Sequence, residues 1–271
     1  MKRFLTLTAG IALGCAGAAP APVLMFGPTE APVRYAVNDN TDIIIAPPNG
    51  GEFRTHAVNE STIEFAFGET TPEGRRVTAT YVAFHSSTEG AGGNSSHTGE
   101  AFAGQPFHGL LSADGNLKVV DGPEIPSDIL AEFDPAAFLT GMLPPLPPEG
   151  RETEAPWPHH LKVTDRTIMA PTSVYDGMAR FAGDSTWNGI RARVIVSEGK
   201  AEVTGSGTPP GAPGQVDMTL DADVRSVYLW DPARGVLLAA RSEFSGGGLM
   251  DMSGFTMPIT YEGSTEITLN R

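Results

Sequence analysis

The sequence predicts a mainly β fold: a large curved antiparallel sheet, or half-barrel, with one short helical element around residues 126–140. Three observations predict it. Long stretches alternate apolar and polar residues with a period of two, turns with Asp/Gly chemistry join apolar runs, and one segment carries helix-capping signals.

Taken in order, Ser61 to Phe67 places Ile63, Phe65 and Phe67 on one face of a strand. A longer alternating stretch runs from Arg75 to Ser86. Phe107 to Val120 and Ser226 to Leu237 each take an apolar strand to an Asp, then a Gly, and return on a second apolar strand, as hairpins do. Ile190, Ala192, Val194 and Val196 form a row opposite Arg191 and Arg193. Val216, Met218, Leu220, Ala222 and Val224 alternate with Asp217, Thr219, Asp221, Asp223 and Arg225, a strand with one wet face. Met257, Ile259 and Tyr261 stay in phase with Thr265, Ile267 and Leu269 across a bend at Gly263-Ser264. Such alternation belongs to antiparallel sheets with one face in water.

The helical interlude opens at Pro126-Ser127-Asp128. Asp134-Pro135 then reads as a fresh N-cap with proline at the first helical position, and Gly141 as a stop. Two short helices, or one kinked helix, would lay Ile129, Phe133 and Ala137 on the concave face of the sheet, flanked by Leu130 and Phe138. Leu143-Pro144-Pro145-Leu146-Pro147-Pro148 is neither helix nor central strand, so it marks a boundary between halves of about 33–143 and 149–271. A duplication into two similar halves is one reading of the echoing hairpins; a plain meander is the other.

The chain has 271 residues with 40% apolar content, enough for one large core. Its 32 Gly and 23 Pro call for many turns, and its net charge of −14 argues against nucleic-acid partners and adsorption to anionic lipid. A single cysteine excludes an intrachain disulfide, so stability comes from burial.

That cysteine, Cys15, follows Lys2-Arg3 and an apolar run from Phe4 to Leu13, the layout of a bacterial export signal over residues 1–18. Lipid attachment at Cys15 is one expectation, although Ala12 stands where a lipobox favours Leu, Val or Ile. Cleavage after Ala16-Gly17-Ala18 is the other, and would remove the cysteine. Residues 19–32, rich in Ala and Pro, read as a tether, and 33–271 as a single β-rich domain. The expected location is the periplasm or the outer membrane, with membrane attachment only through an N-terminal lipid.

The signal, the proline tether, the long strands and the helix–proline interlude together resemble bacterial lipoproteins related to the outer-membrane lipoprotein carriers. The resemblance implies a half-barrel closed by helices over an apolar cavity, from about Val33 onward.

Catalytic motifs do not emerge. Gly93-Asn94-Ser95-Ser96-His97 and Gly183-Asp184-Ser185-Thr186-Trp187 lack the closing glycine of a nucleophile elbow. His159 and His160, adjacent on a strand, point to opposite faces and cannot easily share an ion. Asp217, Asp221 and Asp223 read as a solvated face, and no metal or cofactor is expected. The expected site is apolar. Met250, Met252, Phe255 and Met257 follow Gly246-Gly247-Gly248 as a mobile mouth, with Phe133, Phe138 and Leu139 of the interlude facing it. The function expected is non-enzymatic binding of a lipid, another apolar ligand or a lipidated partner. The alternatives are an envelope interaction module with a filled core, and a hydrolase assembled from distant Ser, His and carboxylate residues.

Overall fold

The computed structural model describes residues 24–27, 29, 31–48, 50–90, 93–147, 155–208 and 214–270. The export signal and Cys15 lie outside the described residues. Six strands come first: β1 (Val33–Ile45), β2 (Phe53–Thr71), β3 (Gly74–Gly90), β4 (Gly93–Thr98), β5 (Pro106–Leu111) and β6 (Leu117–Asp121). Two short helices follow, α1 (Ser127–Leu130) and α2 (Pro135–Thr140). Six further strands follow among the described residues: β7 (Trp157–Thr164), β8 (Thr172–Trp187), β9 (Ile190–Gly207), β10 (Val216–Asp231), β11 (Val236–Met252) and β12 (Phe255–Asn270).

All strands belong to one antiparallel sheet in the order β6-β5-β3-β2-β1-β12-β11-β10-β9-β8-β7, with β4 paired to β3 beyond β5. The sheet curls into a half-barrel. The first half of the chain steps outward from the centre, and the second steps back inward until β12 pairs with β1. The helices carry the chain between the two outer strands. α2 packs against both β6 and β7 and so bridges the free edges of the half-barrel.

The concave face differs along the strands. At one end, where the β2–β3 and β10–β11 turns lie, aromatic residues fill the core. Tyr81 packs edge-on against Phe102 at 5.4 Å and Phe107 at 5.7 Å between ring centroids. Phe26 stacks on Phe67 at 5.5 Å and meets Trp230 edge-on at 4.8 Å. Leu24 and Phe26 are therefore core residues, and Gly27 N–H donates to the Gly235 carbonyl at 3.1 Å. The segment expected to be a tether thus contributes at least residues 24–27 to packing, because Leu24 and Phe26 complete an otherwise open aromatic layer.

The interlude resolves into two helices. Asp134 caps α2, its Oδ1 accepting from Ala136 N–H at 3.0 Å, with Pro135 at the first position. The proline-rich stretch packs rather than spans. Leu143 and Leu146 are buried, and Leu146 N–H donates to the Asp114 carbonyl at 2.8 Å. In β9 the expected row changes phase: Ile195 joins the main core beside Ala192, and Val194 and Val196 do not. The pairing of β8 with β9 shifts register between Phe181 and Gly183, opposite Ile195 and Val194.

Candidate functional site

Midway along the strands a row of polar residues crosses the concave face. His97 of β4 lies opposite Ser86 of β3, and Ser86 opposite Asn59 of β2. Asn59 faces Asp39 of β1, Asp39 faces Thr265 of β12, and Thr265 faces Ser242 of β11. Ser242 faces Ser226 of β10, and Ser226 faces Ser197 of β9. Eight adjacent strands therefore present a polar side chain at one level of a face that is otherwise largely apolar. Cross-strand neighbours stand close enough to bond one another.

They do bond. Asp39 Oδ1 accepts from Thr265 Oγ1 at 2.6 Å, and its Oδ2 accepts from Asn59 Nδ2 at 3.2 Å. The Ser226 and Ser242 hydroxyls lie 2.8 Å apart. Ser197 Oγ meets His159 Nδ1 of β7 at 2.8 Å and Tyr175 Oη of β8 at 2.9 Å. Burial raises the Asp39 carboxyl above its ordinary value, against the lowering effect of Thr265 and Asn59. Burial also lowers the His159 imidazole to about 4, so the ring is neutral near pH 7.

Above this row sit α2 and the residues just before it, Glu132 to Asp134, covering a partly open hollow of about 440 Å³. Its roof is Phe133, Ala137, Phe138 and Met142; its floor includes Ile267, Tyr228, Val224 and Ala201. Three sets of hydrogen bonds hold the roof. Tyr81 Oη donates to the Pro135 carbonyl at 3.0 Å. Glu132 Oε2 accepts from Thr88 Oγ1 at 3.1 Å and Ser95 Oγ at 2.9 Å. Asp134, only 2% exposed, accepts from Arg166 through Nε at 2.8 Å, Nη2 at 2.7 Å and the backbone N–H at 3.0 Å. Because Arg166 lies in the β7–β8 loop, this pair ties the roof to the far side of the half-barrel.

Of the residues the sequence singled out, Phe133 and Phe138 line the hollow, and their rings lie 5.5 Å apart. Leu139 is fully buried in the core beneath α2. Met250, Met252, Phe255 and Met257 do not line it. They lie at the opposite end of the strands from the aromatic core, where Met250 pairs with Met257 and Met252 with Phe255 across the β11–β12 hairpin. Met257 is buried there, and Phe255 is 62% exposed at the turn. Gly246 to Gly248 form a stretch of β11 paired on both sides, with β10 and β12. A Cβ at Gly246 would come within 1.9 Å of the Asp221 carbonyl oxygen, so close backbone approach explains the glycine.

His159 and His160 do face opposite ways: His159 enters the hollow, and His160 Nδ1 lies 2.9 Å from Asp176 Oδ1 on the outside. Sequence reasoning set His159 aside with its neighbour, placed Thr265 on the apolar face without giving it a role, and missed Asp39, Asn59, Tyr175, Ser197, Ser226 and Ser242 as site residues. The available signal was a polar residue at an apolar parity, as Thr265 is between Tyr261 and Ile267. Ser95 and Ser185, the two elbow candidates, lie in β4 and β8. Among the described residues no group of three or more His, Cys, Asp or Glu side chains is placed to hold a metal ion.

No family model matches the chain, and no curated protein matches it. Among solved structures, the chain is similar to DynF from the dynemicin biosynthesis pathway of Micromonospora chersina, at 10% identity and a TM-score of 0.21, covering 96% of this chain and 92% of that one.

Proposed function

We propose that this chain is an exported cell-envelope protein that binds a compact apolar molecule, a lipid or the lipid of a modified partner, in the hollow beneath α2. The observation that carries the reading is the hollow: about 440 Å³ of space inside the concave face, under an aromatic roof. That volume falls within the range of about 300–1,000 Å³ typical of small-molecule pockets. Burial of apolar ligand surface supplies roughly 25 cal/mol per Å² before ordering costs. The placement in the envelope is supported by the basic and apolar residues from Lys2 to Leu13.

A binding role without chemistry is also supported by the Ser197–His159 contact. Ser197 is 1% exposed and does not line the hollow, so its hydroxyl can steady the imidazole but leaves a substrate no room to reach it.

Mass spectrometry of the natively purified mature protein tests the reading. An apolar molecule released on denaturation is expected, and Phe138→Asp should lower its occupancy while leaving the far-ultraviolet circular dichroism intact. A wild-type protein that retains no such molecule and binds no neutral hydrophobic dye would overturn it. The same spectrum reports whether the mature chain starts at an acylated Cys15 or beyond it.

A further inference from the structure

We propose that the hollow selects amphiphiles whose polar head donates hydrogen bonds and carries no negative charge: a hydroxyl, an amide or an ammonium group. This inference rests on the ligand-binding reading above and adds the chemistry of the head.

The lining residues set the sign. Asp39, Glu132, Asp134 and Asp165 line the hollow together with neutral His159, and among the described residues no Lys or Arg does. Among the described residues, only Asp134 of these four carboxylates is paired with an arginine, and Arg166 reaches it from outside the hollow. Asp39, Glu132 and Asp165 are satisfied by neutral donors instead: Thr265 and Asn59 for the first, Thr88 and Ser95 for the second, the Thr167 N–H at 2.6 Å for the third. His97 is the other group near Glu132, its Nε2 lying 3.5 Å from Oε1. A carboxylate or phosphate head entering this space would meet negative charge without a cation to receive it.

The belt also leaves acceptors to spare. A carboxylate offers about four lone-pair sites, and the two bonds to Asp39 use only part of them. Asp39 stands at the centre of the row, one strand from Thr265 and two from Ser242, so a donor there sits between the apolar roof and the polar floor. The raised pKa of Asp39 is consistent with this, because its charge is desolvated without a fixed cation beside it. An amphiphile with its tail under Phe133 and Phe138 and its head toward Asp39 would satisfy both surfaces.

Isothermal titration calorimetry of the mature chain with decylamine, decanol and decanoate tests the inference with one tail and three heads. The amine and the alcohol should each bind about tenfold or more tightly than the carboxylate. Asp39→Asn should narrow the amine-to-carboxylate affinity ratio severalfold. Decanoate binding as tightly as decanol would overturn the head selectivity while leaving the apolar-binding reading standing. An amine-to-carboxylate ratio unchanged in Asp39→Asn would overturn the role of Asp39 in it. Failure of all three ligands to bind would remove both readings.

Discussion

Arg166→Ala should loosen the roof of the hollow, and the magnitude follows from the Asp134 contacts. Asp134 accepts four bonds, two from the Arg166 side chain and two from backbone N–H groups of Ala136 and Arg166. Breaking a buried ion pair by removing one partner costs roughly 3–5 kcal/mol. Here the two backbone donors remain, and Arg166 is half exposed, so water takes over part of the lost solvation. About 2 kcal/mol is expected near neutral pH. The loss also has a pH signature. Burial alone would raise the Asp134 carboxyl, but the bonds from Arg166 and Ala136 hold it below its ordinary value of 3.8. A depressed carboxyl contributes stability above its unfolded pKa, and that stability disappears as pH falls through the folded value. The difference between wild type and Arg166→Ala, measured by urea denaturation, should therefore shrink below about pH 4. Amide exchange over residues 136–142 should accelerate at neutral pH. A destabilisation that is the same at acid and neutral pH would mean lost packing, and would refute the ion-pair account.

Two further outcomes concern the belt and the N-terminal segment. Burial raises the Asp39 carboxyl, so as pH climbs the unfolded chain ionises first and the folded state loses relative stability between the ordinary and the raised value. Asp39→Asn should accordingly raise the melting temperature more near pH 7 than at about pH 3; equal shifts at both would contradict it. Phe26→Ala removes a ring packed on Phe67 and Trp230 and should cost about 3–5 kcal/mol in chemical denaturation. A change under roughly 1 kcal/mol would show that residues 24–27 are not part of the folded core.

The roof of the hollow was legible because its signals are local. Asp134-Pro135 announces a helix start whatever surrounds it, and Phe133 and Phe138 follow from that start. The wall was not legible, since each of its members is a lone polar residue in a strand and resembles a solvent-facing one. Thr265 and Asp39 are 226 positions apart, and only the pairing of β12 with β1 makes them partners. The methionine cluster misled for the converse reason. Met250, Met252 and Met257 are close in sequence, but strands many residues long carry them to the end away from the roof.

The sequence by itself determined that the chain alternates into long strands, turns at Asp/Gly corners and pauses once for a capped helical interlude, because period and capping depend on neighbours only a few residues away. Tertiary structure alone decided the strand order, the docking of Leu24 and Phe26, and the eight-strand polar row facing an aromatic roof. Those depend on register between distant strands, and register is fixed only when the whole curved face closes around its core.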